Sequence, residues 1–393
     1  MKKTLIALAV LTVSGASFAQ STVTLSGIVD VGVKNVSKVA AGSATTSVGS
    51  GNNNRVAFSA TEDLGGGLKA IANAQMRFDP ATGTAESANA RPLFQGETRV
   101  GLTGGFGTVQ LGRGLTALQL PNGGNSDPWG VTTVAGSVYA AGFATDYAAG
   151  GEGRIDQGIW YTSPSLNGLT ISGSFSPRKI VTAAVAGVTA VPASANLTTG
   201  VVTPAVAAVT ASAAGVSKTH QSINLTYAQG PLSVSLGNER NRANDQITQI
   251  YGNYDLGVAK VFASYATIKG GTAEEQRFGG TFAAAAAAVN TGTTTNTQVA
   301  ANGKIKNWTI GATAPLSAAA TLRVGYSQWN GNGADGQQDD NKLGLGVKYD
   351  LSKRTFVYTD VASQTRKNLT GTAAAGRDNS KVTSFDLGVA HAF

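Results

Sequence analysis

Cysteine is absent from this 393-residue chain. That excludes disulfides, a thiol nucleophile and a thiolate metal site. With only two histidines, His220 and His391, a histidine-rich metal centre is excluded as well. Charged side chains make up 13% of the residues, about half the ~25% usual in soluble domains. Long apolar runs are missing too. Beyond the first twenty residues the longest is "FAAAAAAV", 282–289, far short of the ~20 residues a spanning helix needs. Proline is scarce, at 10 residues against 51 glycines. Yet the mean hydropathy is -0.01. Few charges, no long apolar runs and a neutral mean require apolar and polar residues to be finely interleaved. Period-two alternation does this, and it is the mark of a two-faced sheet.

What is present fits that reading. The chain opens with "MKKTLIALAVLTVSGASFAQ", two lysines, a short apolar stretch and a small-x-small end. This is the layout of a secretory signal peptide, with cleavage expected after Ala19. Residues 20–393 then form one domain. Sixteen alternating segments follow, from "VTLSGIVDVGV" (23–33) to "SFDLGVAHAF" (384–393). Their connections alternate in length. Short ones such as "TEDLGG", "GGF", "PSLN" and "DLSKR" carry turn residues. Between them lie long ones, at about 34–54, 79–97, 114–153, 176–221, 240–247, 269–305, 330–341 and 363–383. A soluble sandwich has no reason to segregate loop length to one end, whereas an outer-membrane barrel does. The expected fold is therefore all-β, a 16-stranded antiparallel transmembrane barrel with short periplasmic turns and long external loops. Segments 181–216 and 283–302 are low in complexity and are read as external loops, both with room for extra β-hairpin extension of neighbouring strands.

Parity assigns the faces. Val56 and Phe58 oppose Arg55, Ala57 and Ser59; Leu68, Ala70, Ala72, Ala74 and Met76 oppose Lys69, Asn73, Gln75 and Arg77; Val100 and Leu102 oppose Arg99. Sixteen strands enclose a lumen too wide for side chains to fill, so the charged face points into water and the apolar face into lipid. Tyr161, Tyr227, Tyr254, Tyr349 and Phe393 fall at the periplasmic ends of descending strands, as an aromatic girdle requires. The last residue, Phe393, thus belongs to the girdle, with the final strand closing on the first.

Arg55, Arg77, Arg99 and Arg154 have luminal parity and either tune conduction or stand as solvated wall charges. Arg113 has the parity of lipid-facing Val109 and Leu111, which marks a strand end or a bulge. Asp127, Asp146 and Glu152 in 114–153 are read as structural partners or pore lining rather than catalytic acids. Asp30 and Asp360 have luminal-compatible parity without a visible partner, and Lys34, Lys69, Lys260 and Arg323 read as plain wall cations. His391 is a girdle residue, and nothing around His220 in sequence makes a catalytic arrangement.

The blocks "NRVAFSATEDLGGGLKA", "RVGLTGGFGTVQLGR", "YTSP", "YDLSKRT" and the terminal "GVAHAF" resemble the general Gram-negative porins of β-proteobacteria. The resemblance implies a homotrimer of barrels in the outer membrane of a Gram-negative bacterium, each with its own pore. It implies that 114–153, the third long connection, folds into the barrel as a constriction loop, and that Phe393 helps the assembly machinery recognise the chain. It places Arg55 on the pore wall, Arg99 and Arg113 beside the hairpin leading into the third loop, and Arg154 opposite that loop; with Arg77 and Asp127 these are the pore-lining and constriction candidates. Two departures bear on selectivity: relatives often carry basic residues near Gly96 and Glu97 and at the Trp160 position.

The expected function is passive diffusion of small hydrophilic solutes and inorganic ions, with a moderate anion preference and outer-membrane lipids as surroundings. No cofactor, metal or nucleic-acid partner is expected. The alternatives are an occluded structural or adhesin barrel, suggested by the long uncharged loops, and an outer-membrane hydrolase, which would need an activated nucleophile that two isolated histidines do not supply.

Overall fold

The computed structural model describes residues 21–37, 46–51, 54–85, 93–130, 132–137, 154–179, 181–182, 194–196, 201–203, 215–272, 302–333, 336–368 and 381–393. The expected signal peptide and most of 283–302 lie outside them.

The ascending and descending segments form one antiparallel sheet. Its strands are β1 (Thr22–Val36), β2 (Thr46–Gly49 and Arg55–Gly65), β3 (Leu68–Arg77), β4 (Glu97–Gly104), β5 (Gly107–Leu115), β6 (Arg154–Thr162), β7 (Leu169–Ser176) and β8 (His220–Gln229). They continue as β9 (Leu232–Arg240), β10 (Gln246–Asp255), β11 (Lys260–Lys269), β12 (Lys304–Pro315), β13 (Ala320–Gly333), β14 (Gly336–Asp350), β15 (Thr355–Asn368) and β16 (Lys381–Ala392). The two pieces of β2 pair with successive stretches of β1, Gly32–Asn35 and Thr22–Ile28, so they make a single crossing. The sixteen crossings close into a barrel because β1 also pairs with β16, from Ile28↔Ala392 to Val36↔Ser384. Closure leaves no sheet edge to be satisfied by lipid.

Closure is sealed by the last residue. Phe393 and Gly27 exchange both backbone hydrogen bonds, at 3.0 and 3.1 Å. A Cβ on Gly27 would lie 2.4 Å from the Phe393 ring, so the ring packs over the glycine. The girdle tyrosines Tyr161, Tyr227, Tyr254 and Tyr349 and Phe393 are all exposed on the outer surface. The alternation read from sequence is carried into three dimensions: Val23, Leu25, Val29 and Val33 are exposed on β1, while Asp30 and Lys34 are buried on the luminal side.

Three features go beyond the strands and loops read from the sequence, the second of them a hairpin extension that the reading allowed. First, β13 and β14 continue through 330–341 as a ladder that reaches Gly333↔Gly336, so this connection is hairpin rather than loop. Second, 181–216 contributes two small antiparallel ladders, Val181–Thr182 with Gly215–Val216 and Ser194–Asn196 with Val201–Thr203. Third, the connection after β5 contains a helix, α1 (Gln119–Ser126), over "QLPNGGNS", a poor helix former. Tertiary contacts override that propensity, as the site makes plain.

Candidate functional site

The third long connection folds into the barrel. Its described part, 116–130 and 132–137, is hydrogen-bonded to the luminal wall from β7 to β16 and, from Thr133 N–H to the carbonyl of Gly51 at 2.8 Å, to the segment joining the two pieces of β2. At its start, Ala117 and Leu118 donate their N–H groups to Ser174 and Ser222 Oγ, both at 3.0 Å. Thr116 donates its hydroxyl to Glu239 at 2.6 Å. On α1, Asn122 donates to Gln249 Oε1 at 3.0 Å, and Tyr251 donates to the carbonyl of Leu118 at 3.2 Å. Pro121 sits in the first turn, where a missing N–H costs no helical hydrogen bond. These wall partners, rather than intrinsic preference, hold α1 in shape.

Beyond α1 the loop crosses to the far wall. The Trp129 indole donates to Asp360 Oδ1 at 2.7 Å, and Arg323 donates to the same carboxylate at 3.1 Å while lying 5.6 Å from the Trp129 ring. Val134 N–H donates to Asp386 at 3.0 Å, and Lys342 donates to the carbonyl of Gly136 at 2.6 Å. Room for this limb comes from glycines. A Cβ on Gly325 would stand 2.8 Å from Trp129, and one on Gly344 2.6 Å from the carbonyl oxygen of Ala135.

Several expectations are corrected by these contacts. Asp360 has partners, and Arg323 is no plain wall cation: the two form a buried pair that seats Trp129. Asp30 accepts the Tyr358 hydroxyl at 2.7 Å, and Lys34 donates to the carbonyl of Ser50. Asp127 does not line open lumen. It is 2% exposed, and its two oxygens accept the N–H groups of Trp129 at 3.0 Å and Ser137 at 3.1 Å. It braces the loop's own turn. His220 Nε2 lies 3.3 Å from Glu239 Oε1, which places Glu239 between a hydroxyl and an imidazole. A hydrolytic triad has the base in the middle, so this cluster is an anchor for the loop root.

The arginines occupy the wall from β2 to β6. Arg55 and Arg77 are direct cross-strand partners, and Arg99 is opposite Asn73 on the next strand pair. Glu97 accepts from Arg99 at 2.8 Å and from Asn73 at 2.9 Å. Arg77 Nε donates to Gln75 at 3.3 Å. Arg99 also lies 5.3 Å from the Trp160 ring, whose indole donates to the carbonyl of Leu115 at 2.7 Å. Trp160 therefore ties the start of the third loop to a wall arginine, a link for which the sequence offered no signal.

Arg113 and Arg154 are placed differently. The ladder around β5 shifts register between Gly112 and Gly114, and Gly112 has φ +134, a conformation that favours glycine. This bulge carries Arg113 to Asp156, and its Nε donates to the carbonyl of Gln95 at 3.0 Å. Arg154 donates to the carbonyl of the next residue, Gly96. Both thus fasten the backbone that enters β4. The structure brings Arg55, Arg77 and Arg99 together on one wall, sets Arg113 and Arg154 behind that strand's entry, and puts Asp127 inside the loop.

Comparison with known proteins places these features in context. A family profile described as Gram-negative porin matches residues 4–369. The chain is similar to outer membrane porin protein 32 of Delftia acidovorans, 28% identical with 100% of both chains covered. It is similar to an outer membrane porin protein of Bordetella pertussis, 27% identical over the same full coverage. Among solved structures it resembles an anion-selective porin from Comamonas acidovorans, with TM-score 0.69 and 24% identity over 95% of this chain and all of that one. It also resembles an outer membrane protein of Vibrio cholerae in trimer form, with TM-score 0.58 and 13% identity over 95% and 99% of the two chains.

Proposed function

Because the chain belongs to the Gram-negative porin family, an outer-membrane family of channel-forming barrels, we propose that its channel prefers anions and that Arg55, Arg77 and Arg99 set the preference. One observation carries this reading. The luminal acids are engaged: Asp360 by Arg323 and Trp129, Asp386 by Val134, Asp30 by Tyr358, Glu239 by Thr116 and Glu97 by Arg99. The third loop is tied down mainly on the acidic side, reaching the β2 side at the carbonyl of Gly51, and the arginines occupy the wall of β2–β4. The solutes are small, hydrophilic and negatively charged by preference. The similarity to a porin described as anion-selective agrees with this reading.

Unit charges ~4 Å apart interact by about 1 kcal/mol in bulk-like water. Two well-placed arginines therefore bias passage by at most ~2 kcal/mol, or roughly thirtyfold. The test is the reversal potential of purified protein in a planar bilayer under a salt gradient. The unmutated channel should lie on the anion side, and Arg55→Ser with Arg99→Ser should shift it toward cations without abolishing conductance. A cation-selective parent channel at low salt would overturn the assignment, and a barrel that folds but stays silent would favour the occluded reading.

We further propose a homotrimer, supported by the trimer form of one structural neighbour. Native mass spectrometry of detergent-extracted protein should give three chains per particle; a single chain under mild extraction would contradict it.

A further inference from the structure

We infer that the constriction favours small carboxylates with an apolar end over hydrophilic anions of the same size, and that Leu120 is the residue that discriminates. The inference rests on the arginine wall proposed above and concerns the surface across the lumen from it. In the described part of the third loop, Leu118, Trp129 and Val134 are packed away, none of them more than 5% exposed. Leu120 is 48% exposed. Helix geometry fixes its direction. Successive residues turn by about 100° around the axis, so Leu120 is on the side of α1 opposite Asn122. Asn122 is fully buried and bonded to Gln249 on β10. Gly124 is one turn beyond Leu120 on the same face. A Cβ there would meet nothing within 4 Å beyond its own helix. Leu120 and Gly124 therefore front open lumen.

The barrel determines what lies across from them. Helix α1 packs on β10 and β11, and the arginines stand on β2–β4. In a closed ring of sixteen crossings these two stretches are about half a circumference apart. Their levels agree as well. Gln249 is six residues from Asp255, the periplasmic end of β10, and Arg99 is five from Gly104, the periplasmic end of β4. Arg77 and Arg55 stand higher on the same wall, and Arg55 is the more open of that pair.

The two sides differ in chemistry, and the difference selects the solute. One side is cationic. The other carries no exposed charge, because Asp127 is the single ionisable residue of 116–137 and is buried in the loop's own turn. An inorganic anion gains from one side only. A carboxylate with an apolar end gains from both: the field of the arginines acts on its charge, while its carbon chain displaces water from Leu120. The constriction is the narrowest part of the path, so stabilising a solute there raises its permeability.

The experiment compares propionate with glycolate, which differ by a methyl against a hydroxyl and share charge and size. Bi-ionic reversal potentials of purified protein in a planar bilayer, with potassium propionate or potassium glycolate facing potassium chloride, give their permeability ratio. The parent channel should pass propionate about fourfold better, the worth of one methylene-sized group taken out of water. Leu120→Asn, similar in shape and uncharged, should bring the ratio close to one. Gly124→Leu places a second apolar side chain in the open space and should raise the ratio above the parent's. Heat-modifiable migration confirms each barrel, and Gly124→Leu decides the matter if Leu120→Asn misfolds. An anion-selective parent that passes both solutes equally overturns this inference and leaves the arginine assignment standing. So does a propionate preference that survives Leu120→Asn, or one that Gly124→Leu fails to raise. A parent that proves cation-selective in a chloride gradient overturns both readings.

Discussion

Trp129 is held at three points: its indole N–H on Asp360, its ring beside Arg323, and the space left by Gly325 and Gly344. Each hold has a separate chemical basis, so each is separately testable. Trp129→Phe keeps the ring but removes a donor from a buried carboxylate, a loss of about 1–3 kcal/mol. Gly344→Ala puts a methyl 2.6 Å from a backbone carbonyl that cannot rotate away, and overpacking of this kind costs typically ~1–3 kcal/mol. Both variants should loosen the loop while leaving heat-modifiable barrel intact, and single-channel records should show larger open-state fluctuations or a changed step. Records matching the parent would mean that Trp129 does not anchor the loop. None of this was readable beforehand. Alternation fixed which face Asp360 and Arg323 occupy, but partnership between residues on β13, β15 and a distant loop depends on the path of that loop. A tryptophan between proline and glycine gives no hint of its seat.

Strands and turns were far more legible, because period two and turn chemistry are local. All sixteen crossings and the girdle follow from them. What failed at this scale has physical causes. Helix α1 forms against its propensity because wall hydroxyls and amides satisfy it, and β13 and β14 run on through a stretch whose glycines and polar residues read as loop. The β5 bulge was foreshadowed by the wrong parity of Arg113, but parity could not say that Arg113 and Arg154 would grip neighbouring carbonyls, those of Gln95 and Gly96. The closing strand yields its own prediction. Gly27→Val would drive a side chain into the Phe393 ring and the carbonyl of Arg55, 2.4 and 2.5 Å from the Cβ position. It should reduce the amount of folded barrel in the outer membrane, and Phe393→Ser should do so to a similar degree. Undiminished barrel for both variants would show that the contact between first and last strands is dispensable for assembly, and would remove the motive for Phe393 as an assembly signal.

For the whole molecule, selectivity is a matter of field rather than of any one contact. The Debye length grows from ~10 Å at 0.1 M salt to ~30 Å at 0.01 M, so an arginine wall should act over more of the lumen as salt falls. Glu97 is the acid embedded in that wall, bonded to Arg99 and Asn73. Glu97→Gln should therefore move the reversal potential further to the anion side, by an amount that increases on dilution. An unchanged reversal potential would place Glu97 outside the conducting path. The pairing of β1 with β16 also bears on timing. A ribosome makes Thr22–Val36 well before Lys381–Ala392, so β1 has one unmatched edge until β16 exists. Every intermediate before that moment presents open strand edges and an apolar face with no lipid to cover it, the condition in which chains aggregate. Closure of the barrel therefore has to wait for its last strand, however early the first is made.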